Sequence, residues 1–216
     1  MKLSKRNKIL LLVIFLLGLS YPIYRFVKKI NPNTKYVVGQ KLDSLNGVYV
    51  YYNGGIDNVE ERNTSPDGYN IGLKYQCVEF VKRYYYEFYN HKMPDSYGNA
   101  KDFFSNAVKD GELNKQRALL QFTNPSSFKP EIGDLIIMDG HAGNPYGHVA
   151  IISSVKENAV EIIQQNPGPF ADSRVMFNLE QVNGTWKIVN ERLMGWLRID
   201  DIRLVNKSDV SRGTGN

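Results

Sequence analysis

The segment from Gln76 to Tyr89 constrains the fold most, because its apolar residues recur at helical spacing. Its sequence is QCVEFVKRYYYEFY, with apolar side chains at i, i+3, i+4, i+7, i+8 and i+11 counted from Cys77. Charged side chains fall between these positions, so one face of the segment is suited to pack on a core. Asn90 and Pro94 end the pattern. The segment therefore predicts an amphipathic helix.

Short β-rich runs dominate the second half of the chain. After Pro130, turn residues separate the runs Asp134–Met138, His148–Val155, Val160–Gln165, Val175–Leu179, Trp186–Val189 and Gly195–Ile199. A second helix is expected from Ala100 to Asp110, and residues 44–72 are expected to form loops with one strand, Val48–Tyr52. This order predicts an α+β fold, with N-terminal helices packed on an antiparallel β-sheet.

A long uncharged stretch near the N-terminus predicts a transmembrane helix. Residues 9–24 carry no charge, and sixteen helical residues span roughly 24 Å, against a hydrocarbon core of about 30 Å. Phe26 and Val27 lengthen the stretch if Arg25 extends its charge to the interface. No small-residue cleavage pattern follows, so an uncleaved signal anchor is favoured over a cleaved signal peptide. A buried core helix is a third interpretation.

The distribution of charge limits the possible partners. The net charge is +5, but the first 30 residues hold seven Lys and Arg and no acid, so the remainder carries −2. The body therefore lacks the basic excess that binds nucleic acid, and no nucleic-acid partner is expected. A short positive tail stays in the cytoplasm, which predicts a single-pass membrane protein with its C-terminal domain outside the cytoplasm.

These features divide the chain into four parts. Residues 1–30 are assigned to the signal anchor, 31–44 to a linker, 45–204 to one folded domain and 205–216 to a polar tail. Apolar residues make up 42% and charged residues 23% of the chain, a balance typical of a globular domain with its own core.

The single cysteine, Cys77, is the first candidate for chemistry. It falls in the first turn of the predicted helix, where the helix dipole and free N–H groups favour thiolate and can receive an oxyanion. An unpaired cysteine outside the cytoplasm is either buried or used. A buried core cysteine is the alternative interpretation.

A cysteine nucleophile needs a base, and the chain has three histidines. His148 directly follows Gly147 and opens an apolar strand, which places its imidazole on a rigid element. His91 follows the helix in a loop and is expected to be solvated, and His141 lies in a Gly-rich surface loop. His148 is therefore the favoured base, with a hydrogen-bonded core histidine as its alternative interpretation.

A third group should orient the imidazole. In the strand that follows His148, alternation places Ile162, Gln164 and Asn166 on one face and Glu161 on the other. Gln164 or Asn166 is therefore expected to meet His148, since an amide oxygen accepts the imidazole N–H. Ordinary turn polarity before the following Pro-Gly is the alternative for either residue.

These segments resemble the CHAP family of cysteine, histidine-dependent amidohydrolases and peptidases, a papain-like group. YQCVEFVKRYY is similar to the family's catalytic helix, and especially to the amidase portion of glutathionylspermidine and trypanothione synthetases. The resemblance continues through PEIGDL, YGHVAI, QQN and GWLR, in that order, and covers about residues 45–200.

The resemblance implies a papain-like CHAP fold and a thioester mechanism. Cys77 would attack a carbonyl, and His148 would take the thiol proton and later activate water. The implied substrates are amide bonds in cell-wall peptides (peptidoglycan) or in glutathionylspermidine. A wall-binding module with impaired catalysis is a further alternative, because Gln164 stands where the family has an acid and an amide only orients the imidazole.

No cofactor or metal is expected from the sequence. Some members of the family bind calcium in a loop before the cysteine, but here that loop offers Asp67 and Asn70, too few oxygens for a site. The spacing of Cys and His does not support a zinc site.

Overall fold

The body of the protein is one α-helix packed on an eight-stranded antiparallel sheet. The computed structural model describes residues 4–200. Its elements in chain order are α1 (Lys5–Val27), β1 (Lys41–Leu45), β2 (Val48–Tyr51), β3 (Arg62–Thr64), β4 (Asn70–Leu73), α2 (Cys77–Tyr89), a 3₁₀ turn (Ala100–Phe103), β5 (Glu112–Asn114), β6 (Leu119–Thr123), β7 (Leu135–Met138), β8 (His148–Val155), β9 (Ala159–Ile163), β10 (Arg174–Val182), β11 (Thr185–Ile188) and β12 (Leu193–Arg198).

The sheet has the strand order β11-β10-β9-β8-β7-β12-β6-β5, and β1–β2 and β3–β4 form separate two-stranded pairs. Its central strands are apolar on both faces. Alternate residues of β7 and β8 fall into two cores: Ile137 and Val149 face α2, while Ile136 and Ala150 join a second core around Trp196. Burial on both faces explains why these strands read as continuous apolar runs rather than as alternating ones.

Helix α2 packs on this sheet through its aromatic face. Phe80, Val81, Tyr84 and Tyr85 are fully buried, as the apolar spacing predicts. The Tyr85 hydroxyl lies 3.0 Å from the carbonyl oxygen of Gly133 and 3.2 Å from that of a β12 residue. These contacts fix the helix relative to the centre of the sheet.

A buried ion pair joins α2 to the surrounding strands. Glu79 Oε1 lies 2.7 Å from Arg83 Nε, and both side chains are almost wholly buried. Asn63 of β3 and Gln165, just after β9, donate to the two Glu79 oxygens at 2.7 and 2.8 Å. Gln165 Oε1 in turn accepts the Tyr51 backbone N–H at 2.8 Å. The pair therefore holds four segments together, and most of its donor and acceptor atoms form hydrogen bonds.

Helix α1 is the one described helix that is long and apolar enough to cross a membrane. Its 23 residues correspond to about 35 Å, enough for the hydrocarbon core. None of them is buried, so the interpretation as a buried core helix is wrong. A signal sequence has the same length and composition.

The C-terminal end of α1 is fastened to the body. Asp57 forms ion pairs with Lys28 at 3.1 Å and Arg25 at 3.8 Å, and its backbone N–H donates to the Lys28 carbonyl oxygen at 3.0 Å. Gly55 lets the backbones approach, because a Cβ there would collide with the backbone of residues 28–30. The end of the helix is therefore held against the loop before β3.

The structure confirms the α+β class, the helix over residues 76–89 and the strands predicted after Pro130. Two expectations are wrong. The helix expected from Ala100 to Asp110 is only a 3₁₀ turn, Ala100–Phe103, because the Ser105 backbone bonds to the buried side chain of Gln121 instead of continuing a helix. Consequently one body helix, not several, packs on the sheet within residues 31–200.

The region before α2 holds more strands than expected. Residues 44–72 contribute to β1, β2, β3 and β4, and β1 begins inside the segment 31–44 that was assigned to a linker. The sequences of β1 and β3 are short and largely polar and carry little β signal, so pairing with β2 and β4 decides their conformation. The polar tail 205–216 lies outside the described residues.

Glu79→Ala is expected to destabilise the full chain in detergent by about 3–5 kcal/mol, because it leaves the Arg83 guanidinium buried without its partner. Thermal unfolding followed by circular dichroism measures the change. The matched control is Glu61→Ala, which removes an exposed partner of Lys74 and should have little effect. Equal effects of the two substitutions would contradict the role given to the buried pair.

Candidate active site

Cys77 and His148 line one cavity of about 430 Å³. The cavity lies where the N-terminus of α2 meets the start of β8, and its wall is completed by the loops around residues 56–62, 96–100 and 144–147. Both side chains are 9% exposed, so a substrate reaches them only by entering the cavity. The structure thus brings together the nucleophile and the base predicted from the sequence.

Cys77 occupies the first position of α2, as predicted. The backbone N–H groups of Val78 and Val149 act on its sulfur in the direction that favours thiolate. Burial outweighs them and raises the pKa of the Cys77 thiol above its usual range. The prediction of a lowered thiol pKa at the helix N-terminus is therefore wrong, because desolvation penalises the charged form more than the helix end stabilises it.

His148 opens β8, where it pairs with Met138 of β7. Gly147 precedes it with φ of +78°, and a Cβ there would lie 2.5 Å from the Met138 carbonyl oxygen. Only glycine fits both the left-handed conformation and this close approach. The tight turn from the preceding loop therefore sets where the imidazole enters the cavity.

Gln164 orients the imidazole. Its Oε1 lies 3.0 Å from His148 Nε2, and its own amide nitrogen donates to the Asp172 carbonyl oxygen at 3.0 Å. Since this second bond identifies the amide oxygen as the acceptor, Nε2 carries the imidazole proton and Nδ1 keeps a free lone pair. The arrangement leaves Nδ1 as the proton-accepting atom.

The imidazole is neutral at physiological pH. Burial lowers the pKa of His148 to about 4, and the charge of Arg192 lowers it further, while the hydrogen bond that His148 donates to Gln164 raises it. Between that pH and the pKa of the Cys77 thiol, the site therefore holds a neutral thiol and a neutral imidazole rather than a thiolate–imidazolium pair.

Asn166 lies in the cavity but has different partners. Its φ is +56°, so the strand alternation expected from the sequence ends before it. Its amide nitrogen donates to the Ile56 carbonyl oxygen and to Gln76 Oε1, both at 2.9 Å. Of the two residues expected to meet His148, the structure thus joins only Gln164 to the imidazole.

The other histidines lie in other environments. His91 is buried, with its Nε2 2.9 Å from the Arg117 carbonyl oxygen, so the expectation that it is solvated is wrong: the chain folds back over the end of α2 and covers it. His141 lies on an exposed loop, as expected, and its Nδ1 accepts the Gly143 N–H at 3.2 Å. Neither histidine lines the cavity.

The two oxygen ligands considered for calcium serve other partners. Asp67 pairs with Lys92 and accepts from Ser65, and its pKa falls to about 2, chiefly through the Lys92 contact. Asn70 accepts from Arg62 at 2.8 Å.

Sequence reasoning did not single out several residues that line the cavity, among them Gln76, Arg62 and Tyr97. The position of Gln76 could have indicated a place in the site, because it directly precedes the candidate nucleophile. Its amide nitrogen donates to the Asn58 carbonyl oxygen at 2.6 Å, which fixes the loop over the cavity. The sequence did not indicate that Arg62 and Tyr97 line the cavity, since they lie outside the motifs and only the fold brings them there.

The family model described as CHAP domain matches residues 66–166, a range that includes Cys77, His148, Gln164 and Asn166. This match confirms, over residues 66–166, the resemblance seen in the motifs.

The chain is also similar to curated proteins of three kinds. Trypanothione synthetase of Crithidia fasciculata is 30% identical over 128 residues, 58% of this chain and 20% of that protein. The bifunctional glutathionylspermidine synthetase/amidase of Escherichia coli (strain K12) is 38% identical over 98 residues, 44% and 16%. Endolysin PlyTW of Staphylococcus phage Twort is 28% identical over 116 residues, 52% and 21%. The chain thus spans about a fifth of each relative.

We expect Cys77 to react slowly with iodoacetamide at neutral pH, with a rate that rises through a thiol pKa above the usual value of about 8.5. The reason is that burial disfavours the thiolate and the neutral imidazole supplies no compensating charge. Alkylation of the full chain from pH 4 to 10, followed by mass spectrometry, measures the profile, and protein unfolded in urea is the control. A fast plateau between pH 5 and 7 that disappears in His148→Gln would contradict this expectation.

Proposed function

We propose that the protein is a cysteine-dependent amide hydrolase, with Cys77 as nucleophile and His148 as general base. The observation that carries the proposal is that both side chains line one cavity and that Gln164 holds the imidazole with Nδ1 free to accept a proton. A cysteine on a helix, a histidine on a strand and an orienting amide also favour a papain-like arrangement.

The first half of the reaction forms a thioester. Cys77 Sγ attacks the carbonyl carbon while its proton moves to His148 Nδ1, and the N–H groups at the start of α2 stabilise the oxyanion. The imidazolium then donates that proton to the leaving nitrogen, and the C–N bond breaks to release an amine.

The second half regenerates the enzyme. Water attacks the thioester carbonyl while the neutral imidazole takes its proton, and collapse releases a carboxylic acid as the proton returns to the sulfur. Because the resting site is neutral, thiol deprotonation accompanies attack instead of preceding it. A carboxylate at position 164 would stabilise the imidazolium in both halves, whereas the amide only orients the ring.

The proposed substrate is a peptide amide bond of the cell wall. Similarity to an endolysin supports this, as does α1 if it acts as an uncleaved single-pass anchor that holds the body outside the cytoplasm. Hydrolysis of glutathionylspermidine is the second candidate, favoured by the similarity to the synthetase/amidase.

Cys77→Ala is expected to lower turnover by about 10⁴-fold or more, because no other group in the site forms the thioester. The full chain in detergent is incubated with soluble peptidoglycan fragments and, separately, with glutathionylspermidine. Mass spectrometry then detects the amine and acid products.

The outcomes separate the candidate functions. Turnover of one substrate only identifies the class, and an unchanged melting temperature shows that Cys77→Ala still folds. Wall fragments that bind equally to both proteins, with no turnover by either, would overturn the enzyme in favour of a wall-binding module.

Gln164→Glu is expected to raise the pKa of His148, because a carboxylate stabilises the imidazolium that the amide leaves unsupported. As the base must be neutral to accept a proton, activity should fall as pH drops through the His148 pKa. The acid limb of kcat/KM should therefore lie near pH 4 in the native chain and roughly one to three pH units higher in the variant. Gln164→Ala is the control, and an acid limb that stays in place in Gln164→Glu would show that His148 is not the titrating base.

A further inference from the structure

Arg62 is a cation of the cavity wall that the proposed mechanism does not use. It lies at the start of β3, lines the same cavity as Cys77 and has an exposed side chain. Its Nη1 donates to Asn70 Oδ1 at 2.8 Å, and its guanidinium lies 5.8 Å from the centre of the Tyr97 ring. The group is therefore held in one orientation.

The anchor of Arg62 is itself rigid. Asn70 is buried, and its amide nitrogen donates to the Ser96 carbonyl oxygen at 2.7 Å. The buried Lys82 ammonium bonds to the carbonyl oxygens of both Asn70 and Ser96. The residues behind Arg62 thus form a fixed platform, as a binding site requires.

No carboxylate neutralises Arg62 within the described part of the chain. The neighbouring Glu61 pairs with Lys74, and Asp57, which also lines the cavity, pairs with Lys28 and Arg25. Apart from the bond to Asn70, the guanidinium N–H groups have no hydrogen-bond partner among residues 4–200. The other cations named here serve structural contacts, whereas Arg62 presents an unpaired charge to the cavity.

Two further cations, Lys82 and Arg117, lie near Arg62 but do not line the cavity. Burial lowers the pKa of Lys82 to about 7, and the charges of Arg117 and Arg62 lower it further, while Asp95 and Glu79 act in the opposite direction. The cations therefore act on one another, and an anion placed at Arg62 would relieve this repulsion. A planar, fixed guanidinium suits a carboxylate, which it binds with two parallel hydrogen bonds.

We propose that Arg62, fixed by Asn70 and Tyr97, is a carboxylate-binding subsite, so that the cavity selects acidic peptides over their neutral counterparts. This inference rests on the proposed function, because the subsite lines the cavity that holds the proposed nucleophile. Arg62 would act in substrate recognition and take no part in proton transfer.

Binding tests the subsite without relying on turnover. The probes are the tetrapeptide Ala-Glu-Lys-Ala with free carboxylates and the same peptide with both carboxylates amidated. Their dissociation constants are measured by calorimetry on the full chain in detergent, in the Cys77→Ala background that prevents hydrolysis. We expect the acid form to bind about 10- to 100-fold more tightly, the range for a hydrogen bond between charged groups.

Three variants in that background assign the preference. Arg62→Gln should remove it, and Arg62→Lys should keep part of it, because an ammonium retains the charge without the planar fork. Lys74→Gln is the matched control: it removes a partly buried cation next to β3 that lies outside the cavity, and it should keep the full preference.

The outcomes also separate this inference from the proposed function. An Arg62→Gln protein that still prefers the acid form, or native binding without any preference, overturns the subsite whether or not the chain hydrolyses amides. A preference that depends on Arg62 in a chain whose native form hydrolyses neither wall fragments nor glutathionylspermidine keeps the subsite and overturns the enzyme.

Discussion

The buried pair of Glu79 and Arg83 is the interaction on which the arrangement of the site depends. Its carboxylate accepts from segments before and after α2, and Gln165 links it to the β1–β2 pair. Two charges in a core are costly unless hydrogen bonds satisfy them, so these segments meet at one register. Cys77 lies one half-turn before Glu79, and Gln164 lies one residue before Gln165. Packing the pair therefore positions both the proposed nucleophile and the group that orients the proposed base.

Burial also decides which side chains of the site are charged. It raises the pKa of Cys77 and lowers that of His148, because low-dielectric surroundings penalise both charged forms. An amide at position 164 suits this condition, since it fixes the ring without adding a charge. The site thus holds neutral groups, and in the proposed reaction they would become charged only after a substrate has displaced water.

Charged side chains lie in the wall of the same cavity. Asp57 is occupied by cations from the end of α1, so it fastens the N-terminal helix to the body, and Arg25 becomes part of the cavity wall. Arg62 lies in the same wall without an acidic partner. The contact between α1 and Asp57 and the proposed carboxylate subsite therefore belong to one cavity.

The sequence by itself determined the elements whose signals are local: the helix that carries Cys77, the strand that begins at His148, the apolar N-terminal helix and the resemblance to the CHAP family. Helical spacing and apolar runs are readable without knowing the neighbours of a residue. Tertiary structure alone decided the protonation state of the site and made Gln164, not Asn166, the partner of His148. It also placed Arg62 in the wall of the cavity. Burial, a left-handed turn at Asn166 and the pairing of β3 with β4 produce these results, and each depends on residues distant in sequence.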